Sequence, residues 1–141
     1  MINSENFTTV YAAWCGTGKT HFCNSNDTAV EIEYWKYKGR NSAKNYLKDV
    51  KKQMGKASYI FISTDPAGLK ILQNQGINIV LVYPKNELRN EYLDRYIARD
   101  DPYDFIGTMM KYWDVWLNEL KEQDYCKHIV LKNGEYLSEK L

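Results

Sequence analysis

The sequence predicts an α/β protein, a three-layer sandwich in which helices cover both faces of a five-stranded parallel sheet. Strand-like and helix-like segments alternate along all 141 residues, a pattern typical of the β-α-β units that build parallel sheets. Several strand-like segments are also near-continuous apolar runs, as expected of strands buried on both faces. No repeat, linker or low-complexity segment divides the chain, so we expect a single domain over residues 1–141.

Five strands are predicted from runs of apolar and β-branched residues. The first, third and fourth runs are almost wholly apolar and should lie in the middle of the sheet. In the second run glutamates alternate with apolar residues, which indicates an edge strand with one solvated face. The predicted strands cover residues 8–14, 29–35, 57–64, 77–83 and 126–132.

Helices are predicted between these strands at residues 42–54, 66–75, 86–99 and 103–122. Ser42 can cap the first of them and Gly55 can end it, while Pro66 suits the first turn of the second. Methionine and tryptophan recur at helical spacing in 103–122, which we interpret as core packing. A turn-forming sequence at 24–27 predicts that the helix after the first strand is short.

The segment from Ala13 to Thr20, Ala-Trp-Cys-Gly-Thr-Gly-Lys-Thr, carries the strongest functional signal. It matches the phosphate-binding pattern G-x-x-x-x-G-K-[ST] except that Ala13 stands at the first glycine. A loop that closes on phosphate must turn backbone N–H groups inward, with no side chain between them and the anion, which explains Gly16 and Gly18. Lys19 should meet the outer phosphates and Thr20 should bind Mg²⁺. The residues expected to bind the nucleotide are Ala13, Trp14, Cys15, Gly16, Thr17, Gly18, Lys19 and Thr20.

An alternative interpretation of the same segment is a glycine-rich turn between a strand and a helix that binds nothing. Under the binding interpretation, Cys15 lies between Lys19 and a helix N-terminus, which should make its thiol more acidic.

Charge and composition limit the partners of the chain. Lys and Arg number 19 and Asp and Glu 18, for a net charge of +1, which gives no general attraction to a nucleic acid polymer or a membrane. The three cysteines form no C-x-x-C pair, and we find neither a leader peptide nor an apolar stretch of the ~18 residues that a membrane span requires. We therefore expect a soluble cytoplasmic protein with reduced thiols and a small nucleotide as its ligand.

A phosphate-binding loop after the first strand, an edge second strand and an arginine-bearing helix after the fourth strand together resemble the P-loop nucleoside monophosphate kinases, including guanylate and adenylate kinases. The resemblance covers essentially the whole chain and is closest to small phage-encoded members. It implies the strand order 2-3-1-4-5, ATP and Mg²⁺ as cofactors, and phosphoryl transfer to a nucleoside or deoxynucleoside monophosphate. It also implies an acceptor segment at about 33–44 and a lid at about 89–104.

In this resemblance Arg95 and Arg99 correspond to the lid arginines that act with Lys19 in catalysis. Their i, i+4 spacing places two planar guanidinium groups on one helix face, where they could hold phosphate oxygens. The alternative is that Glu91, four residues before Arg95, forms a solvated salt bridge with it.

The acceptor and the metal are assigned by the same resemblance. Glu33, Arg40 and Lys44 lie in the acceptor segment, with the two cations expected to bind the acceptor phosphate. Asp65 follows the third strand and would contact the acceptor side and a Mg²⁺-bound water, although an Asp before Pro66 is also an ordinary helix N-cap. The acceptor segment is shorter than in many relatives.

Two further functions stay open at this point. If the acceptor atom is a hydroxyl oxygen instead of a phosphate, an acidic residue such as Glu33 or Asp65 must act as base. The chain could also be a nucleotide-binding interaction protein, for instance a phage factor acting on a host protein, that has the fold without the reaction. Ala13 and the short acceptor segment favour this last reading, and Lys19 with the arginine pair counts against it.

Overall fold

The computed structural model describes residues 7–141 and contains a five-stranded sheet. Its strands are β1 (Thr9–Ala13), β2 (Ala29–Glu31), β3 (Tyr59–Ile62), β4 (Ile79–Pro84) and β5 (Lys127–Leu131). They are arranged in the order β2-β3-β1-β4-β5, and every neighbouring pair is parallel. The predicted α/β class, the strand order and the edge position of the second strand are confirmed.

The second strand is shorter than predicted. It ends at Glu31, and the backbone N–H of Ile32 makes the last contact with its neighbour, donating to the carbonyl oxygen of Phe61 at 2.9 Å. Tyr34–Lys36 then forms a 3₁₀ turn. The Tyr34 ring leaves the sheet to pack against Tyr46, with 5.1 Å between the ring centroids, so the alternating pattern continues in the sequence after strand pairing has stopped.

Within residues 7–141, six α-helices pack against the sheet, and one predicted helix is divided in two. They are α1 (Lys19–Ser25), α2 (Ser42–Gln53), α3 (Pro66–Gln73), α4 (Arg89–Ala98), α5 (Tyr103–Lys111) and α6 (Trp113–Lys121). The predicted helix 103–122 breaks at Tyr112, where φ is −102°. The break accompanies the burial of Trp113, whose indole N–H donates to the Asn86 carbonyl oxygen at 2.8 Å. The predicted helix 86–99 begins with a 3₁₀ turn at Asn86–Leu88.

The sheet separates two cores of unequal size. Val10, Ala12 and Trp14 face the larger core, to which α2 through α6 contribute. Ala13 and Phe61 face the smaller one, which is covered by Phe22 of α1 and by Leu137 of a 3₁₀ turn at Leu137–Glu139. The loop that follows β1 therefore leaves the sheet between the two layers. Within residues 7–141 no helix combines the length and apolar character needed to span a membrane.

The start of β1 depends on one buried hydroxyl group, which gives a test of the fold. Thr8 Oγ1 donates to the Ala57 carbonyl oxygen at 2.6 Å and accepts from the Gly55 N–H at 2.8 Å. Thr8→Val keeps the shape but leaves both backbone groups without this partner, so the free energy of unfolding should fall by about 1–3 kcal/mol.

Urea unfolding measures this loss, and Thr108→Val is the matched control. The Thr108 hydroxyl is exposed and bonds only within α5, to the Asp104 carbonyl oxygen at 2.9 Å. Its loss should change stability by less than about 0.5 kcal/mol. Equal effects of the two substitutions would contradict a special role for Thr8.

Candidate functional site

The loop between β1 and α1 has the backbone that the sequence predicts. Gly16 and Gly18 have φ values of 87° and 101°, in the left-handed region that favours glycine. A side chain at either position would also meet a close contact. A Cβ atom on Gly16 would lie 3.0 Å from Tyr96 Cε1, and one on Gly18 would lie 3.2 Å from Tyr136 Cδ1. Both glycines are therefore required by the loop conformation and by what packs against it.

Some of the eight predicted loop residues support the loop from inside the protein. The methyl group of Ala13 is fully buried in the smaller core, which explains why alanine is accepted at the position of the first glycine. Thr17 is also fully buried, and its hydroxyl donates to the Trp14 carbonyl oxygen at 2.7 Å, closing the turn. The members of the segment that line the adjacent cleft are Cys15, Gly16, Gly18, Lys19 and Thr20.

The cleft beside the loop has a volume of about 1560 Å³. This exceeds the ~300–1,000 Å³ typical of a site for one small molecule, so two ligands can be accommodated. Its walls are the loop, the segment after β2, α4 with the turn that follows it, and residues 134–136. The carboxylates that line it are Glu31, Glu33, Glu91, Asp94 and Asp101. The cations are Lys19, Lys36, Arg95 and Arg99.

Lys19 and Glu33 form a buried ion pair in this cleft. Lys19 Nζ lies 2.6 Å from Glu33 Oε1, and the two side chains are only 9% and 10% exposed. The Trp35 indole N–H donates to the other carboxylate oxygen, Glu33 Oε2, at 2.7 Å. Burial alone would raise the pKa of Glu33, but Lys19, Trp35 and Lys36 together hold it below its ordinary value. Glu33 is therefore ionised, and the structure joins two residues that the sequence suggested separately.

Arg95 lies at the loop, but its donor groups are used within the protein. Its guanidinium donates to the carbonyl oxygens of Gly16 at 2.8 Å and Glu135 at 3.0 Å. It also forms the ion pair with Glu91 that the sequence offered as an alternative, at 2.9 Å. The side chain is 10% exposed. Arg95 therefore ties α4 to the loop and to the segment after β5.

Two aromatic rings enclose the Arg95 guanidinium. Its Cζ atom lies 3.9 Å from the ring centroid of Tyr136 and 4.3 Å from that of Tyr92, distances at which cation–π attraction is effective. Tyr136 is also the residue that packs against Gly18. The rings thus fix the position of the arginine and of the loop together.

Arg99 is the more available of the two arginines. It lines the same cleft as Arg95, as the i, i+4 spacing predicts, and is 46% exposed. Its guanidinium contacts Asp101 Oδ2 at 2.6 Å. An exposed pair of this kind is weak and can exchange its carboxylate for another anion.

The other predicted substrate residues lie away from the cleft. Arg40 and Lys44 are exposed and do not line it. Tyr37, in the same segment as Arg40, donates its hydroxyl to Asp49 of α2 at 2.5 Å. Asp65 Oδ1 accepts the Ala67 N–H at 3.2 Å as the N-cap of α3, the alternative that its sequence position suggested. A role for Asp65 in metal or substrate binding stays a prediction.

Sequence reasoning missed several residues that build the site. The Tyr96 hydroxyl accepts from the Trp14 indole N–H at 3.1 Å and donates to the Cys15 carbonyl oxygen at 2.9 Å. The Leu137 N–H donates to the Thr17 carbonyl oxygen at 3.0 Å. The sequence gives no sign of this role for Tyr96, because its spacing is that of an ordinary core residue. Tyr136, which packs on the loop, belongs to no periodic pattern.

The expectation of an acidic thiol at Cys15 is wrong. Burial raises the pKa of this thiol, and the opposing effects of Lys19 and Arg99 do not compensate for it. Glu33 neutralises Lys19 at close range, so the lysine stabilises the thiolate less than its position in the sequence suggests.

Arg95 and Arg99 offer a matched pair of substitutions. Arg95→Lys keeps the charge but loses the planar group that bonds two carbonyl oxygens and a carboxylate at once, so the free energy of unfolding should fall by about 2 kcal/mol. The same exchange at Arg99 should cost less than about 1 kcal/mol, because its ion pair is half exposed. Urea unfolding of both variants measures the difference. Equal losses would show that Arg95 does not hold the loop.

Comparison with known proteins adds no family to this description. A scan against protein-family models gives no match to the chain, and a search of curated proteins finds no sequence with significant similarity. The function is therefore argued from the geometry and chemistry of the site.

Proposed function

We propose that the chain binds ATP with Mg²⁺ at the loop after β1 and transfers the γ-phosphoryl group to a nucleoside monophosphate, a deoxynucleoside monophosphate or a related small acceptor. One observation carries the proposal. The Lys19 ammonium is buried at the end of a loop that contains two left-handed glycines, and it lines a cleft with room for two ligands. A turn with a purely structural role does not need a charge whose burial is costly.

The residues of the site would act by positioning and charge neutralisation. Backbone N–H groups of the loop would surround a phosphate, and Lys19 would meet its outer oxygens. Thr20 is exposed in the cleft, which suits a hydroxyl ligand of Mg²⁺. The metal, when bound, would neutralise phosphate charge.

The ion pairs of the cleft limit which anions could bind there. Three of its cations, Lys19, Arg95 and Arg99, are paired with carboxylates of the protein. Most single anions cannot compete with a buried pair at 2.6 Å, whereas a triphosphate with Mg²⁺ brings several oxygen ligands at once. Among these three paired cations, Arg99 is the one that such a ligand would recruit at least cost.

The acceptor side is supported by different residues than those predicted. Lys36 and the indole of Trp35, which is 58% exposed, line the cleft, whereas Arg40 and Lys44 do not. An exposed aromatic face suits a nucleobase of the acceptor. A hydroxyl acceptor is a second candidate, favoured by the contact between Glu33 and Lys19.

The interaction-protein alternative differs from both enzymes in one measurable respect, because it predicts ATP binding without turnover on any acceptor. A cytoplasmic location belongs to the proposal, since a nucleoside triphosphate and free thiols are both maintained in that compartment.

Substitution of Lys19 tests the binding of ATP, and the choice of variants must take its buried partner, Glu33, into account. Substitution of Lys19 alone would leave the Glu33 carboxylate buried without its cation, with an expected loss of about 3–5 kcal/mol of stability. We therefore compare Lys19→Met/Glu33→Gln with Glu33→Gln alone. The double variant should bind MgATP at least tenfold more weakly by calorimetry, because it lacks the charge that meets the phosphates.

Lys85→Met is the control, because Lys85 forms an exposed pair with Glu87 at 3.9 Å, outside the cleft. It should bind MgATP as the unmodified protein does. Equal affinity of the double variant and Glu33→Gln would reject the loop as the ATP site. MgATP should also raise the melting temperature of the unmodified protein, and a nucleotide acceptor should raise it separately.

A further inference from the structure

The ion pair of Lys19 and Glu33 stands where the reacting groups of the proposed transfer would meet. If Lys19 contacts the transferring phosphoryl group, Glu33 Oε1, which is 2.6 Å from Lys19 Nζ, lies beside that group. An acceptor atom that attacks phosphorus approaches to about 3–3.5 Å. The attacking atom therefore comes within reach of the Glu33 carboxylate.

A carboxylate in this place discriminates between the two acceptor classes. An acceptor phosphate brings more negative charge next to an ionised carboxylate and needs no base. A hydroxyl group brings no charge and must lose a proton, which a carboxylate at hydrogen-bond distance can accept. The two cations expected to hold an acceptor phosphate, Arg40 and Lys44, are outside the cleft, where Lys36 is the cation on the acceptor side.

Three other carboxylates near the loop are engaged elsewhere. Glu91 accepts the Gly134 N–H at 3.0 Å and pairs with Arg95. Asp101 pairs with Arg99. Asp65 is the N-cap of α3 and does not line the cleft. Among the described residues, Glu33 is the carboxylate in contact with the loop lysine.

The ion pair also links the state of Glu33 to the binding of the donor. Lys19 occupies Oε1 in this structure, whereas Trp35 donates to Oε2. When phosphate oxygens replace Glu33 as the partner of Lys19, Oε1 becomes available to a new hydrogen-bond donor. Trp35 still donates to Oε2 and keeps the carboxylate oriented. Burial, which raises the pKa of Glu33, then acts with less opposition, so the carboxylate becomes a stronger base once the triphosphate is bound.

We infer that Glu33 is the general base of the reaction, that the acceptor is a hydroxyl group of a nucleoside-like molecule, and that the triphosphate releases Glu33 for this role by binding Lys19. The inference rests on the proposed phosphotransferase function. In the step, the hydroxyl proton moves to Glu33, and the acceptor oxygen forms a bond to the γ-phosphorus. The bond from that phosphorus to the β–γ bridging oxygen breaks, ADP leaves with the bond pair, and Glu33 passes its proton to water. The exposed face of Trp35 would stack on the ring of the acceptor.

The test compares Glu33→Gln, Glu33→Asp and the unmodified protein in two measurements. Calorimetry gives the affinity for MgATP, and chromatography of the products gives turnover with a panel of nucleosides and a panel of nucleoside monophosphates. Gln keeps one of the two oxygens that accept from Lys19 and Trp35, replaces the other with an NH₂ group, and cannot take a proton. Glu87→Gln, at an exposed carboxylate beside Lys85, is the matched control.

The unmodified protein should phosphorylate at least one nucleoside. Glu33→Gln should phosphorylate the same nucleoside about 10²–10⁴-fold more slowly. Glu33→Gln should bind MgATP at least as tightly as the unmodified protein, because Lys19 loses its competing carboxylate. Glu33→Asp should recover part of the rate, and Glu87→Gln should match the unmodified protein. Weaker binding of MgATP by Glu33→Gln would contradict the claim that the triphosphate releases Glu33 from Lys19.

Failure of the inference and failure of the proposed function give different results. Phosphorylation of monophosphates but not of nucleosides, with Glu33→Gln as active as the unmodified protein, would overturn the base and the hydroxyl acceptor while keeping the phosphotransferase. Binding of MgATP with no turnover on either panel would overturn both and leave the interaction protein.

Discussion

The burial of the Arg95 guanidinium is the constraint on which the site depends. A charge removed from water must have its donors satisfied, and Arg95 finds its acceptors on three separate parts of the chain, the loop at Gly16, the segment at Glu135 and its own helix at Glu91. None of these can move independently while the arginine stays bonded. These contacts hold the loop in one conformation, so the proposed phosphate binding would require little further ordering.

Internal ion pairs engage three of the four cations that line the cleft. Lys19 and Glu33 are the most buried of them, and Arg99 and Asp101 the most exposed. Each pair can exchange its carboxylate for a ligand oxygen, and the free energy of that exchange rises with burial. The ion pair of Arg99 is thus easily exchanged, whereas only a multiply charged ligand can displace that of Lys19. This difference would favour the proposed triphosphate over smaller anions.

Much of the fold could be predicted because it depends on local patterns. Apolar runs located β1, β3 and β4, and the glycine and lysine spacing located the loop. The site was harder to predict from the sequence, because the pairing of Lys19 with Glu33 depends on where the chain turns after β2. The alternation of Glu31 and Glu33 suggested a continuing strand, but pairing with β3 ends first and a 3₁₀ turn brings Glu33 to the lysine. The role of Tyr136 comes entirely from tertiary contacts with Gly18 and Arg95, which no local pattern encodes.

The contacts of residues 134–137 with the loop after β1 have a consequence for biosynthesis. The bonds from Arg95 to Glu135 and from Leu137 to Thr17 join parts of the chain that are made far apart in time. At ~5–20 residues per second, the loop residues wait on the order of ten seconds for these partners. A nascent chain can pair β1, β3 and β4 during that interval, but the loop reaches its final shape only after synthesis has passed Leu137. Competence to bind a ligand through this loop is then acquired in a late step, after most of the sheet has formed.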